Sequence, residues 1–203
     1  MRAAPELRIS GRRRNEIKKA VVALLRECGV NTLPVCLQKI TEKKQWIPVE
    51  YAVARRSGLE IPSPSEDGCT IVREAENTRE YIILYNERDP RRRIRWTLAH
   101  EIGHIALGHL ELRPGDRPEK RVLEAEANYF AKNLLAPMAV IARAGAMDRE
   151  TIASLCDISM EAAAYREKDC LRHKQYFKTY GYTFWDRQFL ETFEFGKQNK
   201  VKK

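Results

Sequence analysis

Two imidazoles and a carboxylate fall together in His100-Glu101-Ile102-Gly103-His104. On a helix, residues four apart sit one turn apart on the same face. Two imidazoles so placed aim ring nitrogens at one metal ion about 2 Å away. Glu101 follows the first and can reach a water on that ion. This is the HExxH arrangement of zinc hydrolases, in which the glutamate is the general base. Zinc suits it, because imidazole and carboxylate are ordinary ligands and no redox change is needed. Accident is a poor account of the clustering. The chain holds 4 histidines, and His100, His104 and His109 are three of them.

A catalytic zinc takes three protein ligands and a water. His109 is one candidate for the third. In the longer H-E-x-x-H-x-x-G-x-x-H pattern, however, Gly108 stands one place late and His109 one place early. His109 therefore reads as a helix-terminus residue with a structural or outer role around the metal. The stronger candidate lies further on. Leu123, Ala127, Phe130, Ala131 and Leu134 make an apolar helical stripe. Glu124 borders that stripe, and a carboxylate there needs a partner, because desolvating it alone is costly. An ion shared with the histidine helix supplies one. Asn128, one turn on, is placed to bond a metal-bound imidazole from outside. Glu126 projects from the other flank. Its preferred reading is a solvated surface charge, although spacing alone leaves Glu126 open as the ligand in place of Glu124.

These residues need elements to hold them. Periodicity predicts helices over Asn15–Cys28, Val35–Lys44, Arg92–Leu107, Glu119–Ala136, Arg149–Cys156 and Met160–Arg172. Ser159 is a suitable N-cap for the last. Trp46–Val53, Thr70–Glu74 and Tyr81–Tyr85 read as strands, the last two joined through Glu76-Asn77-Thr78. Ser57–Gly68 and Arg113–Pro118 read as loops. Helices around a small, mostly antiparallel sheet mean an α+β fold. Three segments are expected: residues 1–142 carrying the metal site, 143–175 as a helix-turn-helix-like extension, and 176–203 as an aromatic and basic tail that packs on something.

Composition narrows the class. The chain has 203 residues, 43% of them hydrophobic, enough for a packed core. No stretch approaches the roughly 20 apolar residues of a membrane span, and the charged start has no apolar run typical of a secretory signal. The 5 cysteines form no CxxC pair, which fits reduced thiols in a cytoplasm. The net charge is +9, with clusters at Arg12–Arg14, at Arg91–Arg93 and in the terminal lysines. Such a balance suits an acidic partner or plain solubility. Thr151–Ser159 followed by a helix resembles a helix-turn-helix, which would suggest DNA contact. The second helix mixes Glu161, Glu167 and Asp169 with Arg166, Lys168 and Arg172, a poor phosphate-binding face. A packed pair, docking a protein, is the favoured reading.

The stretches RWTLAHEIGHIALGHL and LEAEANYFAKNLLAP resemble the ImmA/IrrE family of metallopeptidases. Its second helix pattern falls on Glu124, Asn128, Ala131, Leu134, Leu135 and Pro137. The resemblance is specific from Ile82 to Pro137 and looser in Asn15–Gln45 and Arg149–Arg172. It implies one zinc ion on His100, His104 and Glu124, with Glu101 as catalytic base. It also implies an intracellular bacterial or phage endopeptidase whose substrate is a DNA-binding, helix-turn-helix repressor, so that cleavage derepresses mobile-element or stress genes. Tyr165, Arg166 and His173 are candidates by type for an oxyanion donor. An extended substrate would pair with a free strand edge, for which Tyr81–Tyr85 is the choice; the same run reads equally as an internal sheet strand. The rival reading is a non-catalytic regulator that binds DNA or protein and keeps the metal as a structural staple, with His109 as a fourth ligand.

Overall fold

The computed structural model describes residues 9–61, 68–75, 78–113 and 115–194. Ser10 opens the first helix, its side chain accepting from the Arg13 N–H and so satisfying an orphan donor. α1 (Gly11–Glu27) therefore starts ahead of the expected Asn15, and the arginine cluster Arg12–Arg14 becomes its first turn. Its buried face is Ile17, Val21, Val22, Leu24 and Leu25. α2 (Leu37–Lys44) follows. The expected strand Trp46–Val53 is divided into β1 (Ile47–Glu50) and a short helix, α3 (Tyr51–Arg56). Tyr51 and Ala54, three residues apart, bury together against Ile82 and Leu84. That burial outweighs the strand propensity of the segment.

β2 (Gly68–Ala75) and β3 (Thr78–Tyr85) complete a three-stranded sheet of order β1-β3-β2. β3 runs parallel to β1, with Ile47 opposite Ile82, and antiparallel to β2, with Thr70 opposite Ile83. Most of the pairing is thus antiparallel. The run Tyr81–Tyr85 is central, not the free edge expected for substrate. Its sequence holds the reason: Tyr-Ile-Ile-Leu-Tyr does not alternate, and a strand apolar on both faces belongs inside a sheet. Ile83 and Leu84 are fully buried. Among the described residues the free edges belong to β1 and β2. Glu76 and Asn77, expected in the joining turn, lie outside the described residues, as do 62–67 of the expected loop and residue 114.

α4 (Arg91–Ala106) and α5 (Lys120–Leu135) pack along each other. Pro137 ends α5 as expected, but the chain resumes as α6 (Met138–Arg143). α7 (Arg149–Cys156) and α8 (Met160–Tyr180) form the expected corner, with Ser159 capping α8. α8 runs past the expected Arg172. Within the aromatic segment, α9 (Phe184–Thr192) is started by a reciprocal cap between Thr183 and Asp186. It packs on α1 and α6, and Phe189 and Phe193 bury in the same cluster as Ile17 and Phe130. Among the described residues no helix is long and apolar enough to cross a membrane.

Candidate metal centre

Gly103 sets the distance between the two helices of the site. A Cβ there would stand 3.2 Å from the Ala127 carbonyl oxygen and from Phe130 Cβ and Cδ1. Only a bare backbone lets α5 lie this close to α4 without a shift. The close approach brings Glu124 to the histidine face. His100 Nε2 lies 3.0 Å from His104 Nε2 and 3.1 Å from Glu124 Oε2. His104 Nε2 is 3.8 Å from the same oxygen. These three residues form a cluster able to hold a metal ion.

The outer bonds of the two rings decide what the inner atoms are. His100 Nδ1 meets Asn128 Oδ1 at 2.9 Å. With that oxygen assigned there, Nδ1 carries the proton and Nε2 keeps its lone pair. His104 Nδ1 meets His109 Nδ1 at 3.1 Å, and His109 Nε2 meets Glu126 Oε2 at 3.0 Å. Burial pushes the His109 pKa below the ordinary imidazole value, against the pull of Glu126, so the ring is neutral. A carboxylate only accepts, so His109 Nε2 donates to Glu126 and His109 Nδ1 accepts from His104. His104 Nε2 is then a lone pair as well. In these tautomers two lone pairs and a carboxylate oxygen converge, the donor set of a divalent ion. A shared cation, whether a metal ion or a proton on His100, relieves their mutual repulsion. A tetrahedral ion with bonds of about 2 Å has ligand atoms about 3.3 Å apart, and the observed spacings bracket that value. Hydrogen bonds with His100 and His104 hold the Glu124 carboxyl far below its ordinary range. Burial opposes a charged His100, but Glu124 and Glu101 outweigh it and raise its pKa. The cluster is therefore an electronegative well.

Glu101 is 7% exposed and points to the sheet. Its Oε2 accepts from the Thr70 hydroxyl of β2 at 2.7 Å. Thr70 was not visible as a site residue, because only the sheet pairing carries it to α4. Gly68 helps to seat β2: a Cβ there would come within 2.4 Å of Thr97 Cγ2 and 2.7 Å of the Leu84 carbonyl.

His109 reaches His104 through the end of α4. Gly108 takes φ +71, His109 N–H bonds to the His104 carbonyl, and Gly108 N–H bonds to that of Ile105. This Schellman ending folds the residue after the glycine back over the last turn. Glu126, expected on the solvated surface, is instead 7% exposed. Arg13 grips both its oxygens, Nε to Oε1 at 2.8 Å and Nη2 to Oε2 at 2.7 Å. Burial raises the Glu126 pKa, but Arg13 and His109 outweigh it and hold the group ionised. The sequence offered a weak sign of this, a second glutamate two residues after Glu124. In the sequence its partner Arg13 is marked only as one of a charge cluster.

The three oxyanion candidates all stand on α8. Tyr165 is 60% exposed. Arg166 donates to the Lys132 carbonyl at 2.6 Å, and the His173 ring packs tilted against Phe177. In the α7–α8 corner, Asp157 pairs with Arg91 at 2.5 Å and with Arg92 at 3.3 Å. Two of the clustered arginines of α4 thus pair with this corner from the exposed surface. Ala163, Arg166 and Cys170 are the buried face of α8.

No curated protein matches the chain. Residues 62–168 match the family model described as the IrrE N-terminal-like domain, a family of metallopeptidases. The matched span runs from β2 through the His100–Glu124 cluster into α8 and takes in more than half the sequence, so the chain belongs to the IrrE N-terminal-like metallopeptidase family.

Proposed function

We propose that the chain is a zinc-dependent endopeptidase with His100, His104 and Glu124 as metal ligands and Glu101 as catalytic base. The observation that carries this is the convergence of His100 Nε2, His104 Nε2 and Glu124 Oε2, all electron-pair donors, within 3.0–3.8 Å. A divalent ion bound there supplies Lewis acidity for a water and a peptide carbonyl. Glu101 takes a proton from the attacking water and hands it to the leaving amine. The Thr70 hydroxyl occupies Glu101 Oε2, which fixes the carboxylate and leaves Oε1 for the proton. Asn128 and His109 orient the two rings from behind. Arg13 and Glu126 hold His109 in turn, so the first turn of α1 supports the metal site. With both nitrogens of His109 occupied in this way, a role as fourth ligand of a closed structural site is disfavoured. An extended substrate would then pair with the open edge of β2, the strand that carries Thr70.

The substrate we propose is a helix-turn-helix repressor, as the family resemblance implies, cut in a reducing cytoplasm. The free state of all five cysteines agrees with such a compartment. The test is incubation of the purified, metal-analysed chain with the product of the neighbouring gene. One equivalent of zinc, cleavage by the parent chain and none by Glu101→Ala of unchanged fold are expected. A chain that binds no divalent metal would sink the reading.

A further inference from the structure

A second feature adjoins the metal cluster. A cavity of ≈ 850 Å³ lies between α1 and α8 over α5, α6 and α9. Its size is within the range of small-molecule sites. Asn128, which bonds His100, and Ala125, next to Glu124, line one end. The walls carry five cations, Arg14, Lys18, Lys132, Arg166 and Arg172, against two acids, Asp169 and Asp186. Both acids are already engaged. Asp169 takes Lys132 at 2.6 Å and Arg166 at 3.4 Å. Asp186 accepts from the Thr183 N–H and hydroxyl in the cap of α9.

That leaves a surplus of positive charge. Among the described residues Arg14, Lys18 and Arg172 have no carboxylate in ion-pair contact. Arg14 lies instead over the Tyr129 ring, 5.8 Å from its centroid. Burial pushes the Lys18 pKa down, with Asp186 pulling the other way. Two wall residues also carry buried nitrogens with no hydrogen-bond partner, Arg166 Nε and His173 Nδ1, and Arg166 is only 5% exposed. Native proteins seldom leave such groups unmatched. Trp96, Tyr129 and Phe189 add aromatic surface to the same walls.

We infer that this cavity is a binding site for a small organic polyanion, bearing phosphate or several carboxylates on an apolar or aromatic body. Arg14, Lys18 and Arg172 face its charge, and the aromatic side chains face its body. Because Asn128 belongs both to the cavity and to the outer contact of His100, occupancy is coupled to metal affinity, and the coupling is reciprocal. The site stands whether or not the chain cuts a repressor.

The test is calorimetry on the full zinc-loaded chain with pyrophosphate, adenosine triphosphate and citrate, at fixed ionic strength. A glutamate-rich peptide serves as a separate arm. The expected result is saturable binding of at least one small anion, weakened about tenfold or more in Lys18→Gln and in Arg14→Gln. Arg14 is exposed and Lys18 half-buried, and circular dichroism checks the fold of both variants. Zinc affinity, read by chelator competition and corrected for zinc held by the anion itself, should change in the parent chain and not in Lys18→Gln. No saturable binding of any small anion at millimolar concentration overturns the proposal. So does equal affinity in both variants, which would place the anion elsewhere on the basic surface. Binding of the peptide alone overturns it too, because the cavity would then be a substrate subsite. Repressor cleavage is scored separately, so its failure leaves this result readable.

Discussion

Glu101 and Glu126 are both buried carboxylates, yet their surroundings prepare them for different work. Glu126 is held on both oxygens by Arg13 and again by His109, which spends its acceptor capacity on a fixed geometry. Glu101 has one oxygen on Thr70. Replacing Thr70 by Val removes that donor at nearly constant shape. Turnover should fall about tenfold, the size expected of one hydrogen bond to a charged group, with metal content unchanged. Steady-state kinetics with metal analysis would show it, and an unchanged kcat would remove Thr70 from the proposed mechanism. Glu126→Gln leaves Arg13 and His109 competing for one oxygen. Zinc affinity should drop by about 10–100-fold, as for other outer partners of metal-bound histidines. Chelator competition measures this directly. A loss of thermal stability with the zinc constant untouched would make the Arg13–Glu126–His109 chain merely structural.

At the level of elements, the site depends on how closely α4 and α5 approach and on how α4 is anchored. Gly103→Val would force side-chain carbon into the 3.2 Å contacts with Ala127 and Phe130. Overpacking of this kind costs about 1–3 kcal/mol, and the displaced α5 carries Glu124 with it. A lower melting temperature together with weaker zinc binding is expected, and wild-type zinc affinity would show that the helix spacing does not set the cluster. The other anchor is Asp157 at the α7–α8 corner, in left-handed backbone at φ 52. Burial raises its pKa, but Arg91 and the neighbouring arginines outweigh that and lower it overall. A lowered folded pKa means stabilisation that is present above the ordinary aspartate range, about 3.9, and lost as pH falls through the folded value. Asp157→Asn, which tolerates the same backbone, should cost up to about 1 kcal/mol at neutral pH, because Arg91 and Arg92 reach it from solvent. It should also flatten the acid side of the stability profile. Denaturant titrations across pH would test this, and parallel profiles for the two proteins would assign the acid sensitivity to other groups.

On the scale of the whole molecule, one hydrophobic cluster joins α1, α4, α5 and the later helices, so the first and last described helices buttress α4 and α5 between them. HExxH and the glutamate on the following helix were legible because their geometry is local: one turn of helix aligns His100 with His104, and the apolar stripe says which way Glu124 leans. The α+β class was legible for the same reason, since periods of about 3.6 and 2 are printed in the order of residues. Helices α3 and α9 were hidden because short helices owe their stability to what they pack on, and Tyr51 and Phe189 find their partners far along the chain. Thr70, the pairing of Arg13 with Glu126 and the central place of β3 needed the third dimension for the same cause. A hydroxyl, a guanidinium or a strand edge acquires its partner only when distant segments meet, and a linear pattern carries no record of that distance. Local spacing therefore determined which atoms could grip a cation. Tertiary packing alone decided which side chains hold those atoms in place and where the surplus positive charge gathers.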